Sequence, residues 1–421
     1  MSASGAARSS AENRLTTGNA SVACGTLPAC RPVHRRFLPV RYSPKEMLAK
    51  LVSFNTESWR SNLELIHFCR DYLAAHGVES TIVPSPDGEK ANLYATVGPK
   101  VEGGIVLSGH TDVVPVEGQD WSSDPWTLTE RDGKLYGRGS CDMKGFDAIA
   151  LALVPEMLEA GLKRPFHIAL SYDEEVGCIG AAIMIDAMAE AGLKPSAVIV
   201  GEPSMMQVVT GHKGGTRMKT TVRGHAVHSS RVDIGVPAVM VAGKLIAWHD
   251  EVMAQNKANA QPGIAFEPPY STLHVGVVAG GTAVNITAEH ATFSHEVRVM
   301  PGDDTDYVAR YRAKIAELEA PMKAIAPETG ITMEITSQTP PLAPEKEGAA
   351  ETLSRRITGD NASHVVAYGT EGGLFQAAGW STVVCGPGDI AQAHQPDEFL
   401  TVAQLDAGTS FVRALIAELA R

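Results

Sequence analysis

Gly103-Gly-Ile-Val-Leu-Ser-Gly-His-Thr-Asp112 reads as a short buried strand that ends in chemistry. Ile105, Val106 and Leu107 are an unbroken apolar run after a glycine pair, as in a strand covered on both faces. Side chains two apart in extended chain point the same way, so His110 and Asp112 leave the strand end together. An imidazole beside a carboxylate is either a metal ligand with its orienting partner or half of an acid–base pair.

Moving outward, similar runs recur between amphipathic helical stretches. Ser80–Val83, Asn92–Val97, Phe166–Ser171, Ala197–Val200 and Thr382–Cys385 read as strands. Helices are expected near residues 44–52, 61–76, 146–160, 179–191, 347–358 and from Val402 onward. Ser43-Pro44-Lys45-Glu46 carries the capping-box signature of a helix start. This alternation predicts a mixed, mainly parallel α/β sheet with helices on both faces. Residues 211–339 change style. Their strands alternate polar and apolar, and their order is β-α-β-β-α-β, which predicts a separate inserted α+β domain. The expected organisation is therefore one domain in two pieces, 43–210 and 340–421, interrupted by 211–339.

Residues 1–42 hold six arginines and one acid, with no apolar periodicity. Their composition resembles a transit peptide, but the clean start at Ser43 favours a disordered extension or an upstream-assigned start. The chain has 421 residues, 44% hydrophobic and 20% charged, with a net charge of −12. An acidic chain without a clustered basic surface argues against nucleic acid as a partner. No apolar run approaches the roughly 18–20 residues of a membrane helix. The six cysteines (24, 30, 69, 141, 178 and 385) show no paired spacing, so the expected compartment is a reducing cytoplasm.

Five segments place acids or imidazoles just beyond strands of the first domain: His110 and Asp112, Asp142, Glu174 and Glu175, Glu202, and His394. Each alone is an ordinary cap or surface residue. Together, at the carboxyl ends of strands where α/β proteins bind ligands, they would repel one another unless cations sit between them. Two imidazoles with several carboxylates suit a pair of Zn²⁺-like ions. Neighbours Glu174 and Glu175 point opposite ways in extended chain, so one suits a ligand and the other a proton acceptor.

These segments resemble the dizinc metallopeptidase family of acetylornithine deacetylase, succinyl-diaminopimelate desuccinylase, aminoacylase and glutamate carboxypeptidases. The matching stretches are Ser108–Asp112, Gly137–Gly145, Asp173–Gly177, Gly201–Pro203, Gly224–Ser229 and Gln392–Pro396, in family order. The Asp120–Trp126 loop, Cys141–Phe146 and Gly369–Phe375 look most like the acetylornithine deacetylase branch.

The resemblance implies two Zn²⁺ per subunit, with Co²⁺ as a substitute. Asp142 would bridge them, His110 and Glu202 would complete one, and Glu175 and His394 the other. It implies Glu174 as the general base and later acid, and Asp112 as the group that orients His110. It also implies a cis peptide after Asp142. In the insert, His228 would reach across a homodimer to the oxyanion. Asn285, Arg298, Gly372 and Gly373 would hold an N-acyl amino acid substrate. For His228 the competing reading is a helix-entry residue, and for Arg298 a strand ion pair.

The implied activity is hydrolysis of an N-acetyl amino acid, foremost N-acetyl-L-ornithine to ornithine and acetate in arginine biosynthesis. A desuccinylase, aminoacylase or peptidase is the alternative within the family. A catalytically silent metal-binding protein is the alternative outside catalysis.

Overall fold

Ser43 begins the first helix as its sequence implies: its backbone N–H donates to Glu46 at 2.8 Å, and the Glu46 amide donates back to its hydroxyl at 3.3 Å. The structure is a computed structural model that describes residues 39–421. Residues 1–38, with most of the arginine-rich segment, Cys24 and Cys30, lie outside the described residues. Tyr42 packs against the main core, and Arg41 pairs with Glu159.

The first piece of chain forms α1 (Pro44–Val52), α2 (Leu63–Ala75), β1 (Ser80–Pro84), β2 (Ala91–Val97), β3 (Ile105–His110), β4 (Thr129–Arg131) and β5 (Lys134–Tyr136). Next come α3 (Lys144–Ala152), α4 (Val154–Glu159), β6 (Phe166–Ser171), α5 (Ile179–Glu190), β7 (Ala197–Pro203) and β8 (Val209–His212). The middle piece forms β9 (Gly214–Arg223), α6 (Ala238–Ala258), β10 (Thr272–Gly280), β11 (His290–Val299), α7 (Tyr307–Ile325) and β12 (Gly330–Thr339). The last forms α8 (Ala349–Thr358), β13 (His364–Val366), α9 (Gly372–Ala377), β14 (Thr382–Gly386), β15 (Phe399–Thr401) and α10 (Val402–Leu419). The single helix expected over 146–160 is two, because Pro155 lacks the N–H that a continuous helix would need there.

Eight strands make one sheet in the order β1-β2-β6-β3-β7-β14-β8-β13. Its centre, β6-β3-β7-β14, is parallel throughout, and β1 and β2 add antiparallel strands at one side. The apolar runs are sorted by parity. Ile105, Leu107 and Ile199 join the core under α1, α3 and α10, while Val106, Val198 and Val200 join the core under α5. Fully burying each such side chain contributes about 1.5–3 kcal/mol, which favours apolar residues on both faces of these strands. The fold is the mixed, mainly parallel α/β sheet with helices on both faces that the sequence predicts.

A second sheet, β10-β11-β9-β12, is wholly antiparallel. Met218, Val222, Leu245, Phe293, Tyr311 and Ile331 build its own core beneath α6 and α7. The chain leaves and re-enters the large sheet along adjacent strands: the His212 and Leu342 amides and carbonyls exchange bonds of 3.0 and 3.1 Å. The end of the second sheet abuts the loop after β6, where a Cβ on Gly177 would lie 2.2 Å from that of Ser337.

Candidate metal centre

β3, β6 and β7 run parallel, so His110, the 172–178 loop and Glu202 emerge at the same edge of the sheet. Two longer loops bring Asp142 and His394 to that edge. Gly201 permits the approach: a Cβ there would sit 2.0 Å from the Phe146 ring, on the helix that follows Asp142.

Asp142 is the hub. Its Oδ1 lies 3.0 Å from His110 Nε2 and its Oδ2 lies 3.3 Å from His394 Nε2. His394 Nε2 is also 3.0 Å from Glu175 Oε2, and His110 Nε2 is 3.6 Å from Glu202 Oε1. Donor atoms of His110, Asp142 and Glu175 lie within 4.8 Å of one another, as do those of His110, Glu174 and Glu202. His394 is held in the left-handed region at φ 62°, where a non-glycine residue is strained. Gln119 Nε2 donates to its carbonyl at 3.0 Å. The peptide Asp142–Met143 is cis, as the resemblance implies.

The cluster's electrostatics call for cations. Burial pushes the Glu174 carboxyl up to about 8 and Glu175 to about 6, with Asp142 adding repulsion to both. Burial likewise holds Glu202 well above the usual carboxylate range, again with Asp142 adding to it. Hydrogen bonds to Asp142 and Glu175 raise His394 to about 10. Burial opposes a charge on His110, but Asp142 and Glu202 outweigh it and hold the imidazole well above its ordinary value. Protons thus occupy this cluster where two dications would otherwise neutralise it. Within the cluster, the buried carboxylate oxygen Glu175 Oε1 has no partner. The donor set, the orphaned oxygen and the two overlapping triads fit a pair of oxygen- and nitrogen-seeking dications.

Asp112 sits behind the cluster with two jobs. Its backbone carbonyl accepts from His110 Nδ1 at 2.9 Å, which fixes the ring and aims Nε2 into the site. Its carboxylate, 3.6 Å from that nitrogen, chiefly grips the acid loop. It accepts the amides of Glu174 and Glu175 at 3.0 and 3.3 Å and the Ser58 hydroxyl at 2.8 Å. Left-handed Asp173 and Cys178 frame that loop at φ 58° and 56°.

Two supporting acids were not singled out in the sequence. Glu398 is buried against Arg138 at 2.6 Å and accepts the amides of Gly139, Cys141 and Asp142 at 3.1, 2.9 and 3.0 Å. It fixes the backbone that presents Asp142. Glu371 is buried beneath the cluster and accepts from Ser108 in β3 and from Ser171, the last residue of β6. Glu371 stands inside the quoted Gly369–Phe375 stretch and Glu398 two residues past Gln392–Pro396, so closeness to those stretches was the available signal.

The substrate residues are more scattered. A cavity of about 340 Å³ opens over the cluster, lined on its far wall by Gly215, Arg217, Glu296 and Arg298, and by Tyr368 and Gly369 at the side. Arg298 is there, in a fork with Glu296 at 2.9 and 3.2 Å. Gly372 and Gly373 are not among its lining residues. They sit in the first turn of α9, their amides taken by Thr370 Oγ1 and His212 Nε2, and Gly369 faces the cavity instead. His228 and Asn285 also lie outside the cavity but beside each other, the Ser229 amide donating to the Asn285 carbonyl at 2.9 Å. Within the chain, His228 Nδ1 caps the short turn Ser229–Ile234. Among the described residues, no helix is long and apolar enough to cross a membrane. Cys69, Cys141, Cys178 and Cys385 are free thiols.

Residues 106–418 match the sequence pattern of peptidase family M20/M25/M40, and the chain belongs to that family. It is a hydrolase of amide bonds. It is 32% identical over 361 residues to the acetylornithine deacetylase of Proteus mirabilis (strain HI4320), covering 85% of this chain and 90% of that one. Its fold is that of an M20-family metallo-carboxypeptidase from Sulfolobus solfataricus, with a TM-score of 0.69, 16% identity and coverage of 90% and 99%. A dinuclear metal-binding M20 peptidase from Bacillus subtilis is also similar, with a TM-score of 0.55, 16% identity and coverage of 89% and 97%.

Proposed function

We propose that this chain is a two-metal deacetylase of N-acetyl amino acids, with N-acetyl-L-ornithine as its substrate and ornithine and acetate as products. The observation that carries this is the convergence of His110, His394, Asp142, Glu175 and Glu202 around one hub, with Glu174 beside them. In our reading Asp142 is shared, His110 and Glu202 hold one ion, and Glu175 and His394 hold the other. Two bound dications, zinc or functionally cobalt, would polarise the scissile carbonyl and lower the pKa of water in the site.

Glu174 is the proton carrier. Unlike Glu175 it has no histidine partner, its contact being the Cys178 thiol at 3.3 Å, and burial raises its carboxyl towards neutrality. With cations neutralising the cluster, the carboxylate there would take a proton from the attacking water and return it to the leaving amine. Arg298 receives the substrate's α-carboxylate.

His228 stabilises the oxyanion from a partner copy in a homodimer. Support comes from its distance in fold from its own cavity and from the apolar surface around it. Val232, Val277, Val278, Val284 and Ile286 are all exposed, and β10 is an unpaired sheet edge. The free thiols favour a reducing compartment such as the cytoplasm, and the relative's name favours a place in arginine biosynthesis.

A panel of N-acyl amino acids assayed with zinc or cobalt tests this reading. N-acetyl-L-ornithine is expected to be the preferred substrate, and a strong preference for a succinyl or peptide substrate would sink it.

A further inference from the structure

Five carboxylates line the cavity, and four of them, Asp142, Glu174, Glu175 and Glu202, belong to the metal centre. The fifth is Glu296 on β11. It lies two residues before Arg298 on the same face of the strand, and directly across from Arg217 on β9. Arg217 reaches away to the Glu175 carbonyl at 3.4 Å, and Arg298 forks onto Glu296.

We propose that Glu296 is a specificity-determining residue that selects substrates with a cationic side chain, by taking the side-chain ammonium while Arg298 takes the α-carboxylate. This rests on the reading of the site as an N-acyl amino acid hydrolase.

The Glu296–Arg298 pair mirrors the charges of a diamino acid. Its side chains remain 24% and 33% exposed, and a pair in such contact with solvent is weakly held and easily opened. A diamino-acid derivative exchanges this one pair for two: Arg298 with its carboxylate and Glu296 with its ammonium. A neutral substrate also draws Arg298 away but leaves Glu296 without a cation in a partly closed cavity. That penalty falls on the wrong substrate. With dications at the other end of the cavity, an ammonium needs a carboxylate of its own. Among the described lining residues, Glu296 is the carboxylate outside the metal centre.

The test is the ratio of kcat/KM for N-acetyl-L-ornithine over its neutral isostere N-acetyl-L-norleucine, on the full metal-loaded protein and its variants. The wild-type ratio is expected to exceed one. Glu296→Gln is expected to lower it by about tenfold or more, and Glu296→Asp, which keeps the charge, to preserve the preference. A residue that merely props Arg298 would lower both substrates alike, so an unchanged ratio in Glu296→Gln overturns the inference. A wild-type enzyme that hydrolyses both substrates equally well also overturns it while leaving amide hydrolysis standing. Failure to hydrolyse any N-acetyl amino acid overturns the functional reading and this inference with it.

Discussion

Two pairs of histidines in this molecule are driven in opposite directions. At the proposed metal centre His110 and His394 sit among carboxylates, which hold both imidazoles above their ordinary pKa, His394 at about 10. In the core of the second sheet, burial lowers His249 and takes His295 down to about 3. His249 Nε2 meets His295 Nδ1 at 2.9 Å, His295 Nε2 meets Thr220 Oγ1 at 2.9 Å, and that hydroxyl meets Tyr311 at 2.9 Å. This neutral chain of hydrogen bonds has no carboxylate in it. Burial is thus common to His110, His249 and His295, whereas His394 is half exposed; what sets the first pair apart is the negative charge around it.

The contrast can be broken by substitution, and the largest effect belongs to the metal centre. His110→Ala is expected to lower metal affinity by more than about 100-fold, since even the outer partners of metal ligands cost 10–100-fold. Metal titration checks it, and His295→Ala is expected to leave the metal content intact while lowering the melting temperature.

His228→Ala is expected to cost about 10²–10³ in kcat, the usual worth of an oxyanion donor, without metal loss. Mixing it with inactive Glu174→Gln chains and letting dimers exchange is expected to restore activity at about a quarter of the sites, because each mixed dimer then holds one complete site. No recovery on exchange would contradict a role for His228 across the dimer.

A smaller effect is the proton count. Metal uptake at pH 7 is expected to release protons from His110 and His394, so affinity rises with pH towards about 10. Calorimetry in buffers of different ionisation enthalpy reads the number, and zero release would contradict the charge assignment.

The smallest effect is acid lability of the second sheet. His295 is depressed in the fold, so below its unfolded pKa of about 6.5 the unfolded chain binds a proton that the folded one refuses. Its contribution is therefore complete above about pH 6.5 and declines as pH falls towards 3, by about 1–2 kcal/mol at pH 5. Unfolding followed through the fluorescence of Trp248, which packs against His249, is expected to show that slope.

What could be read from the sequence follows the same division. Strands covered on both faces announce themselves as apolar runs, and a run that stops at His, Glu or Asp marks the carboxyl edge where a ligand binds. Hence β3, β6 and β7 were placed to within a few residues, and their terminal acids and imidazole were legible. β4, β5, β13 and β15 were not, because three residues carry no period. Glu398 and Glu371 escaped because their importance lies in long-range bonds to backbone and serine hydroxyls, which spacing does not encode. The resemblance implies that Gly372 and Gly373 hold the substrate, but they do not line the cavity. Gly373 is instead small because a Cβ would meet the Pro340 carbonyl at 2.0 Å. His228 is a turn cap within its own chain, and its proposed second role depends on a surface that a single chain cannot complete.

The most direct test pairs two readings on the wild-type chain and on Glu174→Gln: bound zinc, and acetate released from N-acetyl-L-ornithine. Two ions per chain are expected in both proteins, with turnover in the variant lower by about 10²–10⁴. Near-equal turnover by the two, or wild-type turnover that survives complete removal of metal, would contradict the assignment of Glu174 and of the centre around Asp142.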